Sequence, residues 1–231
     1  MKRSVLQAVL EARAHKRPLV LVTEPGSGRQ WAEVRGEPAS GLDADVREAA
    51  LAALARDRSA VVQVAGARYF LHAMNPPLRL FVVGAVHIAQ ALVPMASLLG
   101  YEVTVIDPRR AFVTGERFPG VTVTTEWPDD ALAAAELDDR SAVVTLTHDP
   151  KLDDPALRVA LTSPAFYIGS LGSRRTHGKR IERLTDAGLT ADALARIHAP
   201  VGLDIGAVSA TEIAASIVAE LTSVLRARAA A

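Results

Sequence analysis

Four polar loops carry the residue types on which a binding site can be built: Gly84-Ala85-Val86-His87, Asp107-Pro108-Arg109-Arg110, Thr145-Leu146-Thr147-His148-Asp149 and Gly169-Ser170-Leu171-Gly172-Ser173-Arg174-Arg175. Each follows a short apolar run. A glycine turn between a strand and a helix aims backbone N–H groups and a helix N-terminus at a bound phosphate. Asp107 stands 23 residues after Gly84, the spacing of a ribose-binding carboxylate. A full G-x-G-x-x-A fingerprint requires glycine at 86, where the chain has Val86. The β-branched side chain sits where a pyrophosphate approaches the backbone, so ordinary NAD binding is disfavoured.

The last of the four loops opens the most basic stretch of the chain, with Arg174, Arg175, His177, Lys179, Arg180 and Arg183 close together. Glycines, a serine at a helix start and several cations are the chemistry a phosphate needs. The plainer reading is a solvated basic helix face, since Ile181 and Leu184 make the segment amphipathic. For the other loops too, two readings stand side by side. His87 either faces a ligand or is a polar first-turn residue. Asp107 either accepts from a ligand's donors or pairs with Arg109 or Arg110. His148 and Asp149 form an acid–base pair, weak metal ligands or a turn before Pro150; no second histidine at i+4 supports a metal. Asp204, between Gly202 and Gly206, marks a further loop. The chain has no G-x-S-x-G elbow and no P-loop lysine, and no carboxylate pair stands out as catalytic. No catalytic and no metal-ligating residue is assigned. The expectation is a binder of a phosphorylated organic cofactor.

The elements that must position these loops are legible from hydrophobic period. Residues 2–15 form a short amphipathic helix through Val5, Val9 and Ala12, ended by Pro18. Strands are expected at 19–22 and 30–35, a helix at 44–56 capped by Asp43 with Val46, Ala50, Leu51 and Leu54 inward, and strands at 60–64 and 68–72. Asn75-Pro76-Pro77 stiffens the chain and bounds a small α+β domain of residues 1–75. Residues 76–231 then alternate strand and helix. Strands are expected at 78–83, 103–106, 121–124, 142–146 and 166–168, with helices at 88–99, 129–135 and 152–161. Ser209-Ala-Thr-Glu212 is a capping box opening a final helix lined by Ile213, Ile217, Leu221 and Val224. The fold class is α/β: a Rossmann-like, doubly wound, mostly parallel sheet with a small N-terminal α+β domain. An alanine-rich tail closes the sequence.

Composition narrows the function classes. The 231 residues are 49% hydrophobic, enough for a large buried core. Twenty-six basic residues balance twenty-six acidic ones, so no general attraction to nucleic acid or anionic membrane is expected. Aromatics are only 4%, too few for a base-stacking platform. With no cysteine there is no disulfide, thiolate metal site or cysteine nucleophile. No apolar run is long enough to span a membrane and the start reads as a helix rather than a signal peptide, so a cytoplasmic protein is expected.

Several of these stretches together resemble the XdhC/CoxI family. They are Gly84–Leu92, Asp107-Pro-Arg109 with Glu116–Pro119, Thr147-His-Asp149, Tyr167–Arg175, and Pro200–Gly206 with Glu212-Ile-Ala214. The resemblance runs over residues 76–225. It implies a non-catalytic accessory protein of molybdenum hydroxylases such as xanthine and carbon monoxide dehydrogenase. Such a protein binds the molybdenum cofactor, as molybdopterin or its cytosine dinucleotide, protects it during sulfuration by a cysteine desulfurase, and helps insert it into the hydroxylase apoenzyme. The cofactor-binding residues expected on this reading are Gly84, Ala85, His87, Asp107, Arg109, His148, Asp149, Gly169, Gly172, Ser173, Arg174 and Arg175, and a homodimer is a further expectation. Two departures stand out: Val86 replaces the second glycine of the family turn, and the N-terminal part lacks the family's cysteine-containing segment. Thiolate ligation of molybdenum is therefore not carried over. The alternatives are an NAD(P)- or flavin-dependent oxidoreductase, suggested by Gly84 and Asp107, and a cofactor-free scaffold that recruits partners.

Overall fold

The prolines at 76 and 77 divide the chain. In the computed structural model, which describes residues 2–228, residues up to Pro76 cluster with residues 226–228 as one unit, and Pro77–Leu225 form the other. The alanine-rich tail lies largely outside the described residues.

The first unit holds α1 (Arg3–Ala14), β1 (Leu19–Glu24), β2 (Arg29–Val34), α2 (Ala44–Ala55), β3 (Ala60–Val64) and β4 (Ala67–Met74). Its four strands form an antiparallel sheet in the order β2-β1-β4-β3. Asp43 caps α2 by accepting from the Asp45 N–H at 2.9 Å. Val46, Ala50 and Leu54 pack on Val20, Val22 and Leu71, as the helical period requires. Leu51, expected on that face, is exposed and Ala53 is buried in its place. Leu51 lies five positions, about 140°, from Val46, whereas Ala53 lies seven positions on and returns to the inner stripe.

The second unit comprises β5 (Leu78–Val83), α3 (His87–Leu98), β6 (Tyr101–Ile106), β7 (Thr122–Thr124), α4 (Pro128–Ala134), β8 (Ser141–Thr145), α5 (Pro150–Leu161), β9 (Tyr167–Ser170), α6 (Arg174–Asp186), α7 (Ala191–Leu194), β10 (Ile197–His198) and α8 (Ala210–Arg228). All six strands are parallel, in the order β10-β9-β8-β5-β6-β7. From β5 the chain moves outward through β6 and β7, then returns to the other side of β5 and moves outward again. The reversal lies between β5 and β8, where open α/β sheets form their ligand crevice.

Burial on both faces explains the unbroken apolar runs. Leu80 and Val82 of β5 join Ala89, Leu92 and Ala96 of α3 and Ile217 and Leu221 of α8 in one layer. Phe81 and Val83, pointing the opposite way, join Ala156, Leu157 and Ala160 of α5 and Leu184 of α6 in the other. The capping box of α8 forms as expected: the Glu212 N–H donates to Ser209 Oγ at 3.2 Å, and Glu212 Oε2 accepts from the Ser209 and Val208 N–H groups at 2.8 Å. The strand expected at 166–168 extends instead over Tyr167–Ser170, because Gly169 and Ser170 continue the ladder with Val144 and Thr145. The two-residue β10 and single-turn α7 were too short to show a period.

Candidate functional site

Asp107 directly follows β6 with no exposed surface, and its carboxylate is fully engaged. Oδ2 accepts from the Ala85 N–H at 2.8 Å and from Arg109 Nη2 at 2.7 Å. Oδ1 accepts from the Arg109 backbone N–H at 3.0 Å and from its Nε at 2.8 Å. Burial opposes ionisation, but the bidentate Arg109 bond and the two backbone donors outweigh it, so the carboxyl is held below the usual aspartate range. The same pairing raises the pKa of Arg109. Arg109 also lies over the Phe112 ring at 4.8 Å. Asp107 thus clips the turn after β5 to the end of β6.

A second set of contacts joins that turn to the loops after β8 and β9. Gly84 has φ +111°, and a Cβ there would stand 2.7 Å from Thr147 Cγ2 and 3.3 Å from Thr147 N. Only glycine lets the two strand ends approach so closely. Thr147 Oγ1 donates to Asp153 Oδ1 at 2.6 Å, and Asp153 Oδ2 lies 3.9 Å from Arg180 Nη2. Arg180 Nη2 in turn donates to the Leu171 carbonyl at 2.8 Å. Asp153 is 1% and Arg180 2% exposed, an acid on α5 and a base on α6 taken out of water together. Burial dominates both: it pushes the Asp153 carboxyl up, against the Thr147 bond and the Arg180 charge, and pulls the Arg180 guanidinium down.

Their polar groups are not all used. Arg180 Nε and Nη1 and Asp153 Oδ2 are buried without a hydrogen-bond partner. They adjoin a cleft of about 240 Å³ lined by His148, Pro150, Asp153, Arg175, Thr176, Lys179, Arg180 and Arg183. Arg183 is spoken for, donating to Asp154 through Nε at 2.5 Å and Nη2 at 3.0 Å. Ser173 caps α6 by accepting from the Thr176 N–H at 3.2 Å. His148 carries the chain into α5 with φ +61°, a left-handed conformation that a residue with a side chain adopts at some cost.

The XdhC Rossmann domain model matches residues 80–221. The chain belongs to the XdhC family. Among XdhC relatives it is 34% identical over 150 residues to the molybdenum cofactor insertion chaperone PaoD of Escherichia coli K12, covering 65% of this chain and 41% of that protein. It is 31% identical over 153 residues to a probable xanthine dehydrogenase subunit of Bacillus subtilis 168, covering 66% and 44%. Identity to the uncharacterized protein YqeB of Escherichia coli K12 is 34% over 154 residues, covering 67% and 28%. The chain therefore spans less than half the length of these curated relatives. A crystal structure described as a xanthine dehydrogenase from Bacillus halodurans shares the fold at TM-score 0.74 and 24% identity, over 98% of this chain and 68% of that one.

Against this XdhC frame the expected site residues separate into groups. Gly84, Ala85, Asp107 and Arg109 come together as the first clip. His148 and Arg175 line the cleft, and Gly172, at φ +135°, lies in the turn that brings Arg180 beneath Leu171. Asp149 caps α5, accepting from the Lys151 N–H at 2.9 Å. His87 and Arg174 are exposed on α3 and α6 and do not line the cleft. Gly169 serves packing: a Cβ there would meet Val201 Cγ2 at 2.5 Å and Tyr167 Cε1 at 2.8 Å. Tyr167 donates to Glu220, which also accepts from the Gly202 N–H at 2.8 Å, and burial with this bond raises the tyrosine's pKa. Thr147 stood in one of the four loops without an assigned role; Asp153 is an addition that motif reading did not single out, and Arg180 was seen only as one of a basic run. Their signal was phase: Asp153 shares the inward stripe of α5 with Leu152, Ala156, Leu157 and Ala160, and Arg180 that of α6 with Leu184.

Proposed function

We propose that this XdhC-family chain is a non-catalytic maturation factor that holds the molybdenum cofactor, as molybdopterin or its cytosine dinucleotide, at the carboxyl edge of the parallel sheet. In this reading it keeps the cofactor available for sulfuration by a cysteine desulfurase and passes it to a molybdenum hydroxylase apoenzyme, from a cytoplasmic location. The observation carrying it is the 34% identity to a molybdenum cofactor insertion chaperone across the unit whose strand-end loops open on a basic cleft.

The residues fit such a ligand at its anionic end. Buried guanidinium donors without partners, beside exposed Arg175 and Lys179, suit a phosphate. Ser173 and the first-turn N–H groups of α6 stand at the start of the helix whose Arg175 and Thr176 line the cleft, His148 lines it from the start of α5, and His87 and Arg174 are exposed outside it. Gly84, Ala85, Asp107, Arg109 and Asp149 act by holding the loops. Gly169 and Gly172 let β9 and the start of α6 take their positions. The cofactor itself brings a molybdenum–dithiolene centre and a phosphate; a chain without cysteine leaves the metal's sulfur ligands to the cofactor.

Anaerobic titration of the purified chain with molybdopterin, followed by intrinsic fluorescence, tests this. Saturable one-to-one binding, weakened about tenfold by Arg175→Ala, is expected. No saturable binding of either cofactor form by the parent would refute it. The oxidoreductase alternative predicts micromolar binding of NAD or NADP in calorimetry. With Asp107 closed on Arg109 and Ala85, neither is expected to bind in that range.

A further inference from the structure

We infer that the cleft between the starts of α5 and α6 is a phosphate-monoester site, with Arg180 as its buried anchor and Arg175 and Lys179 closing over the anion. The inference deepens the proposed reading, and rests on it only for what the phosphate is attached to.

Three observations meet here. First, Arg180 is 2% exposed, yet Nε and Nη1 have no partner. A buried unsatisfied guanidinium N–H is costly, and native structures rarely leave one without a purpose. Second, the charge is unbalanced. Arg175, Lys179, Arg180 and Arg183 face Asp153 and the Asp154 that binds Arg183, leaving at least two positive charges uncompensated in a chain whose net charge is zero. A phosphate monoester brings up to two negative charges to that excess; a carboxylate brings one. Third, α6 is a 13-residue helix whose N-terminus opens on the same cleft through Arg175 and Thr176, adding the positive end of its dipole.

Asp153 explains how a carboxylate tolerates this company. One oxygen is fixed by Thr147, and the other, Oδ2, has no partner. Burial raises the pKa of Asp153, and a protonated Oδ2 would donate to a phosphate oxygen while an ionised one would accept from a monoprotonated phosphate. Arg180 is held in place before the ligand arrives by its 2.8 Å bond to the Leu171 carbonyl.

The test uses inorganic phosphate and glycerol phosphate as probes, with the full chain at fixed ionic strength, read by calorimetry and by phosphorus NMR line width. The parent is expected to bind each with one-to-one stoichiometry. The exposed-residue variants Arg175→Ala and Lys179→Ala should each weaken binding about tenfold without changing the melting temperature. Arg180→Gln should abolish it, with circular dichroism establishing the fold. Asp153→Asn keeps an acceptor for Thr147 and offers an N–H to the phosphate, so it should bind as tightly as the parent or tighter. Arg158→Ala, in the last turn of α5, should match the parent. Failure of both probes to bind the parent, or binding unaffected by Arg175→Ala and Lys179→Ala, overturns the inference. Loss of binding in Asp153→Asn overturns it as well, since a ligand needing that carboxylate brings donors rather than a phosphate. If molybdopterin binds but the phosphates do not, the inference falls and the proposed function stands; phosphate binding without molybdopterin binding does the reverse.

Discussion

Replacing Gly84 by alanine should damage the strand-end architecture out of proportion to the single methyl added. The residue has φ +111°, where an L side chain costs about 1–3 kcal/mol. The new Cβ would also stand 2.7 Å from Thr147 Cγ2, and Thr147 is not free to turn away because its Oγ1 is bonded to Asp153 at 2.6 Å. Overpacking of this kind costs about 1–3 kcal/mol more. A total of roughly 2–6 kcal/mol is expected, and each kcal/mol lowers the melting temperature by about 2–4 °C in a chain of this size. Thr147→Ser removes the offending methyl while keeping the hydroxyl. The double variant Gly84→Ala/Thr147→Ser should therefore recover about 1 kcal/mol relative to the sum of the single effects. Urea denaturation of the four proteins measures all the terms. A Gly84→Ala cost below about 0.5 kcal/mol, or strict additivity in the cycle, would refute the argument that close approach of β5 and β8 is what demands glycine.

Other consequences follow from the same contacts. Asp107→Asn puts an amide against the Arg109 guanidinium, and with Arg109 partly in solvent the cost should be about 2 kcal/mol in urea at neutral pH. Because Asp107 titrates below its unfolded value, its contribution is complete above about pH 4 and disappears as pH falls through the lower native pKa. Acid titration of the parent should show that limb, and the asparagine variant should lack it. Ser209→Ala removes the hydroxyl half of the α8 capping box and should cost about 1 kcal/mol by thermal melt; no change would mean the cap is idle. Tyr167→Phe takes one donor from Glu220 but leaves the Gly202 N–H and His198, so a loss near 1 kcal/mol is expected, and a loss several times larger would mean the network acts as one unit.

How much of this was legible depended on period and phase. The apolar run Leu78–Val83 reads as a strand, and its alternate residues divide between two core layers, as in a strand buried on both faces. The cap of α2 at Asp43 and the box at Ser209 and Glu212 were read from residue type alone, since short-range hydrogen bonds are fixed by local spacing. The partnership of Asp107 with Arg109 was one of two readings open, because a strand-end acid beside an arginine serves a ligand or its neighbour equally well until the fold closes the cavity around it. Contacts between loops far apart in sequence gave no such signal. Gly84 needs Thr147, 63 residues on, and Asp153 meets Arg180 only because α5 and α6 pack on one face of the sheet. The polar residue at an inward helical phase was the available clue, and it points to the groups that motif spacing passed over.

Transfer tests the account most directly. The chain is loaded anaerobically with molybdenum cofactor, freed of excess by gel filtration, and mixed with a xanthine dehydrogenase-type apoenzyme while activity is followed. The account predicts cofactor retained through the column at one equivalent, and activation faster and more complete than with the same amount of free cofactor. Loss of the cofactor on the column, or activation no better than with free cofactor, would contradict it.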